Sequence, residues 1–338
     1  MLRIFHNTAY DFIKWWRWAA AATIAFILVG LGSFVIKGPP NYSIEFTGGT
    51  LLQIAFQKPP AAADLRAVIE EAGIRSPEIT QFGSDTTYTV RVQGLGEAAS
   101  QASATEVSNV VQGALEKKYG STGFRVERAE RVGAKVGSEL RRGALIAMML
   151  AAMVTLVYLA IRFEWRFGVA AVMSTAHDVL VTLSFIKILH LEVSLTVVAA
   201  ILTLLGYSGN DTIIIFDRVR ENLRKARREP LYDTLNRSIN ETLPRSILTH
   251  STVLAATLSL LFFAGEVLRP FAVVMTFGVF VATFSSIYVA SPLLLYIERR
   301  FPRKDADKTQ VSAKSARAES QVEPRPRPPR NPKEPAAR

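Results

Sequence analysis

Six apolar stretches, each near the roughly 20 residues that cross a hydrocarbon core, restrict this chain to a membrane-embedded fold. They run from about Trp18 to Ile36, Gly143 to Ile161, Gly168 to Leu189, Val193 to Phe216, Ser246 to Ala264 and Pro270 to Tyr296. Within a bilayer only helices and closed barrels satisfy their own backbone, and runs of this length read as helices. Hydrophobic residues make up 49% of the 338 and are gathered in blocks, as membrane spans require. The first stretch competes with a signal peptide, because Lys14-Trp15-Trp16-Arg17 is a basic flank. It is long for a signal core, and Gly38-Pro39-Pro40 offers no Ala-x-Ala cleavage site, so it reads as an uncleaved span.

Between the first two spans lies a segment of different character, Gly38–Arg142. A strand around Ser43–Phe56 contains Gly48-Gly49, which permits a bend or bulge. A helix over Ala62–Ala72 stops at Gly73. Strands near Glu78–Phe82 and Thr87–Gln93 follow, joined by Gly83-Ser84-Asp85. A second helix over Ala98–Tyr119 ends at Gly120, and a last strand covers Phe124–Arg131. The order βαββαβ is the split-βαβ, ferredoxin-like arrangement. The expected fold is therefore a six-helix membrane α-helical bundle carrying one extracytoplasmic α+β ferredoxin-like domain.

Charge placement sets the orientation. Arg162-Phe163-Glu164-Trp165-Arg166-Phe167 is a short basic link with belt aromatics. The link Asp217–Arg245 holds eight Arg/Lys against five acids, and twelve Arg/Lys follow Glu298. The links around His190 and Glu266 carry little positive charge, and residues 38–140 hold 10 Lys+Arg against 12 Asp+Glu. The positive-inside rule then puts both termini in the cytoplasm and the α+β segment outside. The net charge of +11 is thus topological and faces membrane lipid; no base-stacking module accompanies it, so nucleic acid is not an expected partner. The chain divides into a cytoplasmic N-terminal segment (1–17), a first transmembrane helix (18–37), the extracytoplasmic domain (38–142), a five-helix transmembrane region (143–297) and a basic cytoplasmic tail (298–338). The tail, rich in Pro, Ala, Arg and Glu, is expected to be disordered, with Pro324–Pro329 favouring polyproline II.

Buried acids are the candidate functional groups. A carboxylate within a span costs at least about 2.5–3.5 kcal/mol on insertion scales, so Asp211 and Asp178 each require a reason. Asp211 ends the run Gly206-Tyr207-Ser208-Gly209-Asn210-Asp211 and precedes Thr212. Thr196, Thr203, Tyr207 and Asn210/Asp211 fall at spacings that make one helical stripe, expected to point inward. Asp211 reads either as a protonatable or ion-paired site or as a capping acid near the interface. Ser174, Asp178 and Thr182 share a face of the third span. Asp178 reads either as a helix–helix hydrogen-bonding group or as a participant in proton movement, and His177 as a packed or hydrogen-bonded neighbour. Pro244-Arg245 is expected to open the fifth span, proline being favourable in a first turn. Arg245 there is either a cytoplasmic snorkel or the counter-charge of Asp211.

Other chemistries lack their residues. No cysteine exists, the four histidines have no ligand spacing, and no phosphate-binding Gly-x-x-x-x-Gly-Lys loop occurs. Neither His-Glu-x-x-His nor Gly-x-Ser-x-Gly is present, so no enzyme activity, metal or cofactor is expected.

The segment Gly206–Asn222 closely resembles the fourth-span signature of the SecF subunits of the SecD–SecF protein-export family, relatives of the resistance–nodulation–division transporters. Glu45-Phe46-Thr47-Gly48-Gly49-Thr50, Val132–Leu140 and Arg162–Phe167 also resemble that family, which the chain matches over roughly residues 15–300. It departs from the family pattern at Ser43 and Glu45, where Gly and Asp are usual, and in placing Pro244 before Arg245. The resemblance implies a non-enzymatic accessory subunit of the Sec translocase in the bacterial inner membrane. Such a subunit uses the proton gradient to assist late stages of export. Its implied partners are a SecD-like subunit in a heterodimer, the Sec translocon channel and exported polypeptides. It also implies a proton path at Asp211 and Arg245. Rival readings are half of a proton-coupled small-molecule transporter and a non-conducting assembly factor.

Overall fold

The computed structural model describes residues 8–74, 77–92, 104–225, 229–265 and 267–301. The disordered tail and polyproline run expected after Pro302 lie outside the described residues, as do residues 98–103 of the expected second helix. Among the described residues, six helical spans are long and apolar enough to cross a membrane. The first is α1 (Trp16–Lys37), entered through a 3-10 turn at Ile13–Trp15. Most of α1 is exposed, as the lipid-facing helix of a bundle should be. Its one buried residue is Gly30, where a Cβ would collide with Ser184 of the helix alongside. A small residue at that contact lets two membrane helices approach closely.

After α1 the chain does not enter a strand at Ser43. Residues Ile44–Thr47 form a single helical turn, α2, and the strand β1 begins at Gly49 (Gly49–Phe56). Gly48 and Gly49 have φ of 74° and 121°, values that side-chain-bearing residues rarely adopt. A Cβ on Gly48 would lie 2.8 Å from the Ala134 backbone, so the pair turns the chain where another segment passes against it. The bulge is elsewhere: the pairing of β1 with the last strand shifts between Gln53 and Ile54.

The domain continues with α3 (Ala62–Glu71), β2 (Glu78–Gln81), β3 (Thr87–Val92), α4 (Ala104–Tyr119) and β4 (Phe124–Val132). The strands lie in the order β2-β3-β1-β4, every neighbour antiparallel. This is the ferredoxin-like sheet that the βαββαβ order implies. β1 alternates strictly, sending Leu52, Ile54 and Phe56 inward against Leu65 and Ile69 of α3 and Val111 and Leu115 of α4. Period-two burial on one face and helices on that face alone make a two-layer core.

The remaining helices are α5 (Ala134–Arg162), α6 (Trp165–Ile188), α7 (Leu195–Lys225), α8 (Leu231–Phe263) and a final span. The last comprises α9 (Arg269–Ser285), a π-helical turn at Ser286–Ala290 and α10 (Ser291–Arg300). α7 is central, touching α5, α6, α8 and α9. The fifth span does not open at Pro244. α8 starts at Leu231, and Pro244 lies inside it. Leu235, Ile239 and Leu243, spaced by four, bury one face of this early part. An N-terminal strap holds its flank: Tyr10 N–H donates to Asn240 Oδ1 at 3.0 Å, Asn240 Nδ2 donates to Tyr10 O at 2.8 Å, and Ile13 N–H donates to Asn236 Oδ1 at 3.1 Å. Tyr232 donates to Asp11, and this bond is the largest influence holding the Asp11 carboxyl below its ordinary range. α7 likewise continues past Phe216 to Lys225, its end carrying a Glu221–Lys225 ion pair at i,i+4.

Candidate functional site

The polar residues of the bundle form two connected clusters around α7. The first is centred on Asp178, in the middle of α6 and fully buried. Ser208 of α7 donates to its Oδ2 at 2.5 Å and Ser285 of α9 donates to the same oxygen at 2.7 Å. His177 Nδ1 lies 3.0 Å from Oδ1. Asp178 therefore joins three helices through side-chain hydrogen bonds, and Thr182 adds a bond to its carbonyl. Ser174, on the same face, is buried as well.

The second cluster is centred on Asp211, also buried. Ser246 of α8 donates to Oδ1, while Oδ2 has no hydrogen-bond partner among the described residues. Next along α7, Thr212 is hydrogen-bonded to Ser286 at 3.1 Å, at the start of the π-helical turn. One wider turn there displaces the helix ladder beside the acid, a distortion that recurs at functional sites. His250, one turn beyond Ser246, is buried; its ring stands edge-on to Tyr207 with centroids 5.4 Å apart.

Several expectations need correction. The inward stripe is not Thr196, Thr203, Tyr207 and Asn210. Thr203 and Asn210 are exposed, Thr196 and Tyr207 are half-buried, and Gly206 is exposed too. The buried face carries Leu204, Ser208, Asp211, Thr212 and Ile215. Successive helical residues are about 100° apart, so Asn210 and Asp211 cannot share a face, and the acid alone turns inward. Arg245 is exposed, and no hydrogen bond or ion pair of its side chain to Asp211 is present among the described residues. It is the next residue, Ser246, that reaches the carboxylate. His250 likewise makes no hydrogen bond or ion pair with Asp211 among the described residues. Asp211 is also not near a helix end, since α7 runs on through Arg224 and Lys225.

Ser246, His250, Ser285 and Ser286 were not singled out from the sequence. The signal for the first two was their i,i+4 spacing, which stacks a hydroxyl and an imidazole on one face of α8.

At the opposite end of the bundle from the N-terminal strap, the α+β domain is bound to the turn between α6 and α7. Arg91 of β3 pairs with Glu78 at 3.0 Å and with Glu192 of that turn, and donates to Tyr42 O. Ser43 N–H donates to Val193 O at 2.9 Å, and Val193 N–H donates to Asn41 O at 2.7 Å. Glu45 accepts from Leu195 N–H at 2.6 Å, a carboxylate on the first turn of α7 where free N–H groups and the helix dipole favour it. Lys187 donates to the carbonyls of Gly38 and Pro39. The segment around Gly48-Gly49 is thereby tied to the helix that carries Asp211.

The family described as "Protein export membrane protein SecD/SecF, C-terminal" matches residues 111–300, and the "SecD/SecF GG Motif" matches residues 33–60. The chain belongs to the SecD/SecF family. A protein translocase subunit SecF of Gemmatimonas aurantiaca is 59% identical over 320 residues, covering 94% of this chain and 96% of the relative. The SecF of Escherichia coli is 37% identical over 287 residues, covering 85% of this chain and 87% of the relative. Among solved structures, SecDF of Thermus thermophilus, described as a translocon-associated membrane protein, superposes with a TM-score of 0.77 at 36% identity. The match covers 87% of this chain and 39% of that one, so the chain spans well under half of the SecDF polypeptide. SecDF in its super-membrane-facing form gives a TM-score of 0.64 at 35% identity, over 91% of this chain and 40% of that one. The SecD/SecF bundle and its α+β domain are thus shared, including the two elements that place Asp211 and Gly48-Gly49.

Proposed function

We propose that this SecF-family subunit couples proton movement through its bundle to late stages of protein export across the bacterial inner membrane. Its partners are a SecD-type subunit, the Sec translocon channel and exported polypeptides, and its role is non-enzymatic. Both termini are cytoplasmic, and the α+β domain projects on the other side. Asp211 is the proton-path acid and Asp178 the second buried acid, which joins the helices beside it, with Arg245 and Asn210 next to the path and Gly206, Tyr207, Ser208 and Thr212 completing the motif.

One observation carries this reading: Asp211 is a buried carboxylate on the central helix, with one oxygen bonded by a hydroxyl and the other without a hydrogen-bond partner among the described residues. A permanently charged structural acid in hydrocarbon would be expected to pair both oxygens or to hold a counter-ion. A group that alternates between acid and carboxylate requires no such permanent partner. In Asp178 the balance is different, since three side chains already engage it.

Asp211→Asn keeps the shape and removes the titratable group. Co-assembled with the SecD-type subunit in proteoliposomes, it should retain assembly and lose gradient-driven proton flux and export stimulation. Wild-type flux from an assembled variant would favour a non-conducting scaffold. For orientation, Ser84 is exposed at a domain hairpin, and the chain has no native thiol. A cysteine at Ser84 should react with an impermeant maleimide from the extracytoplasmic face of intact cells; reaction only after the inner membrane is opened would reverse the orientation.

A further inference from the structure

His250 is the buried titratable side chain for which neither the Asp211 chemistry nor the helix contacts described above supply a role. It is 6% exposed. Its Nδ1 lies 2.7 Å from the carbonyl of Ser246, and a carbonyl only accepts, so Nδ1 carries a hydrogen. The neutral ring is therefore fixed in one tautomer, with the lone pair on Nε2. That atom is buried without a partner among the described residues. The edge-on contact with Tyr207, at an interplanar angle of 81°, holds the ring plane.

On α7, Asp211 Oδ2 and the Tyr207 hydroxyl are likewise buried without a hydrogen-bond partner among the described residues. Tyr207 and Asp211 are i,i+4 on α7, and Ser246 and His250 are i,i+4 on α8. The helices run in opposite directions, so both His250 and Tyr207 lie one turn from the Asp211–Ser246 bond toward the α+β domain. Four residues along a helix rise about 6 Å. The charged and titratable groups acting on Asp211 from the helices packed here are His250 and Arg245, and Asp211 in turn acts on Tyr207.

We propose that His250 Nε2 is a second proton-holding atom of this site, exchanging its proton with Asp211 on the domain side of the acid. This rests on the proton-coupling reading above. The step balances with one bridging water, which is not consumed. Nε2 takes a proton onto its lone pair to give the imidazolium. Nε2 and Oδ2 are not hydrogen-bonded to each other, so the proton passes through a bridging water, which takes it from the imidazolium and gives one of its own to Oδ2, leaving a neutral ring and a carboxylic acid. Ser246 is the pivot, because its backbone carbonyl orients the imidazole while its side-chain hydroxyl orients the carboxylate.

The test is proton flux in proteoliposomes of the full chain assembled with its SecD-type partner. H250Q removes the basic nitrogen, and flux should fall by about 100-fold, the scale of a lost acid–base group, with assembly intact. In H250A, added imidazole should restore flux, whereas pyrazole, a ring of the same size and far lower basicity, should not. A structural ring would be replaced equally well by either molecule. Equal rescue by both, no rescue by imidazole, or wild-type flux in assembled H250Q would each overturn the assignment. D211N, measured alongside, separates the two readings. Loss in D211N with normal flux in H250Q removes only the histidine. Normal flux in D211N removes the coupling reading beneath it.

Discussion

Asp178 and Asp211 are two buried acids with different satisfaction, and that difference predicts different mutants. Asp178 accepts from Ser208 and Ser285 and contacts His177, so it links α6 to α7 and α9. Side-chain hydrogen bonds between membrane helices average about 0.6 kcal/mol each, so losing the two from Ser208 and Ser285 should cost about 1 kcal/mol. Asp178→Ala is expected to lower the stability of the detergent-solubilised bundle by that amount in a denaturant titration. Asp178→Asn, which keeps one accepting oxygen, should lose less than half as much. If the asparagine variant kept full stability but lost proton flux, Asp178 would belong to the path rather than to the frame. At this scale the sequence marked the buried acids better than it marked which way their neighbours point. The acids stood out by cost alone. Their partners are serines and a histidine, residues common enough in membrane helices that only the packing of α7 against α8 and α9 selects them.

Among the elements, the helices were legible where they are apolar and not where they are charged. The hydropathy of Ser246–Ala264 marked the membrane part of α8, but its first part, Leu231–Arg245, carries acids, arginines and asparagines that read as a loop. It is helical because Leu235, Ile239 and Leu243 bury one face and the strap at Tyr10–Ile13 covers the asparagines. The strap's contacts are separated by more than 200 residues in sequence, so no local pattern contains them. The ferredoxin-like sheet, by contrast, was legible from strand order, because alternation in β1 and the positions of glycine are local. α1 offers a test of element packing. Its one buried position is Gly30, against Ser184. Gly30→Leu must push α1 away from α6, and overpacking of this kind costs about 1–3 kcal/mol. A disulfide-trapping pair across the α1–α6 contact should cross-link readily in the parent and poorly in the Gly30→Leu variant. Equal cross-linking would mean that the contact is loose.

In the whole molecule, the α+β domain and the central helix are mechanically joined through the α6–α7 turn. Glu45 holds the first turn of α7, and Arg91 bridges the sheet to Glu192. A shift of α7 that accompanies a change of charge at Asp211 would therefore be carried into the domain. Glu192 makes this junction sensitive to acidity, and the direction can be derived. Its burial is the largest influence and raises its pKa above the usual glutamate range; Arg91 opposes this, while Glu78 and Glu45 add to it. A carboxyl whose pKa is higher when docked than when free binds its proton more tightly in the docked state. Docking should thus strengthen as pH falls through the raised pKa and level off below the ordinary glutamate value. Above the raised pKa the docked state carries the full cost of the half-buried charge. An ion pair considered alone would give the opposite sign, with docking weakened once Glu192 is neutral. Spin labels on Ser84→Cys and Leu189→Cys, both exposed positions, would read the separation of domain and turn. The distance distribution should narrow on acidification in the parent, and Glu192→Gln should give the narrow distribution at every pH. Broadening on acidification would show that attraction to Arg91 outweighs burial, and that the junction releases the domain on acidification.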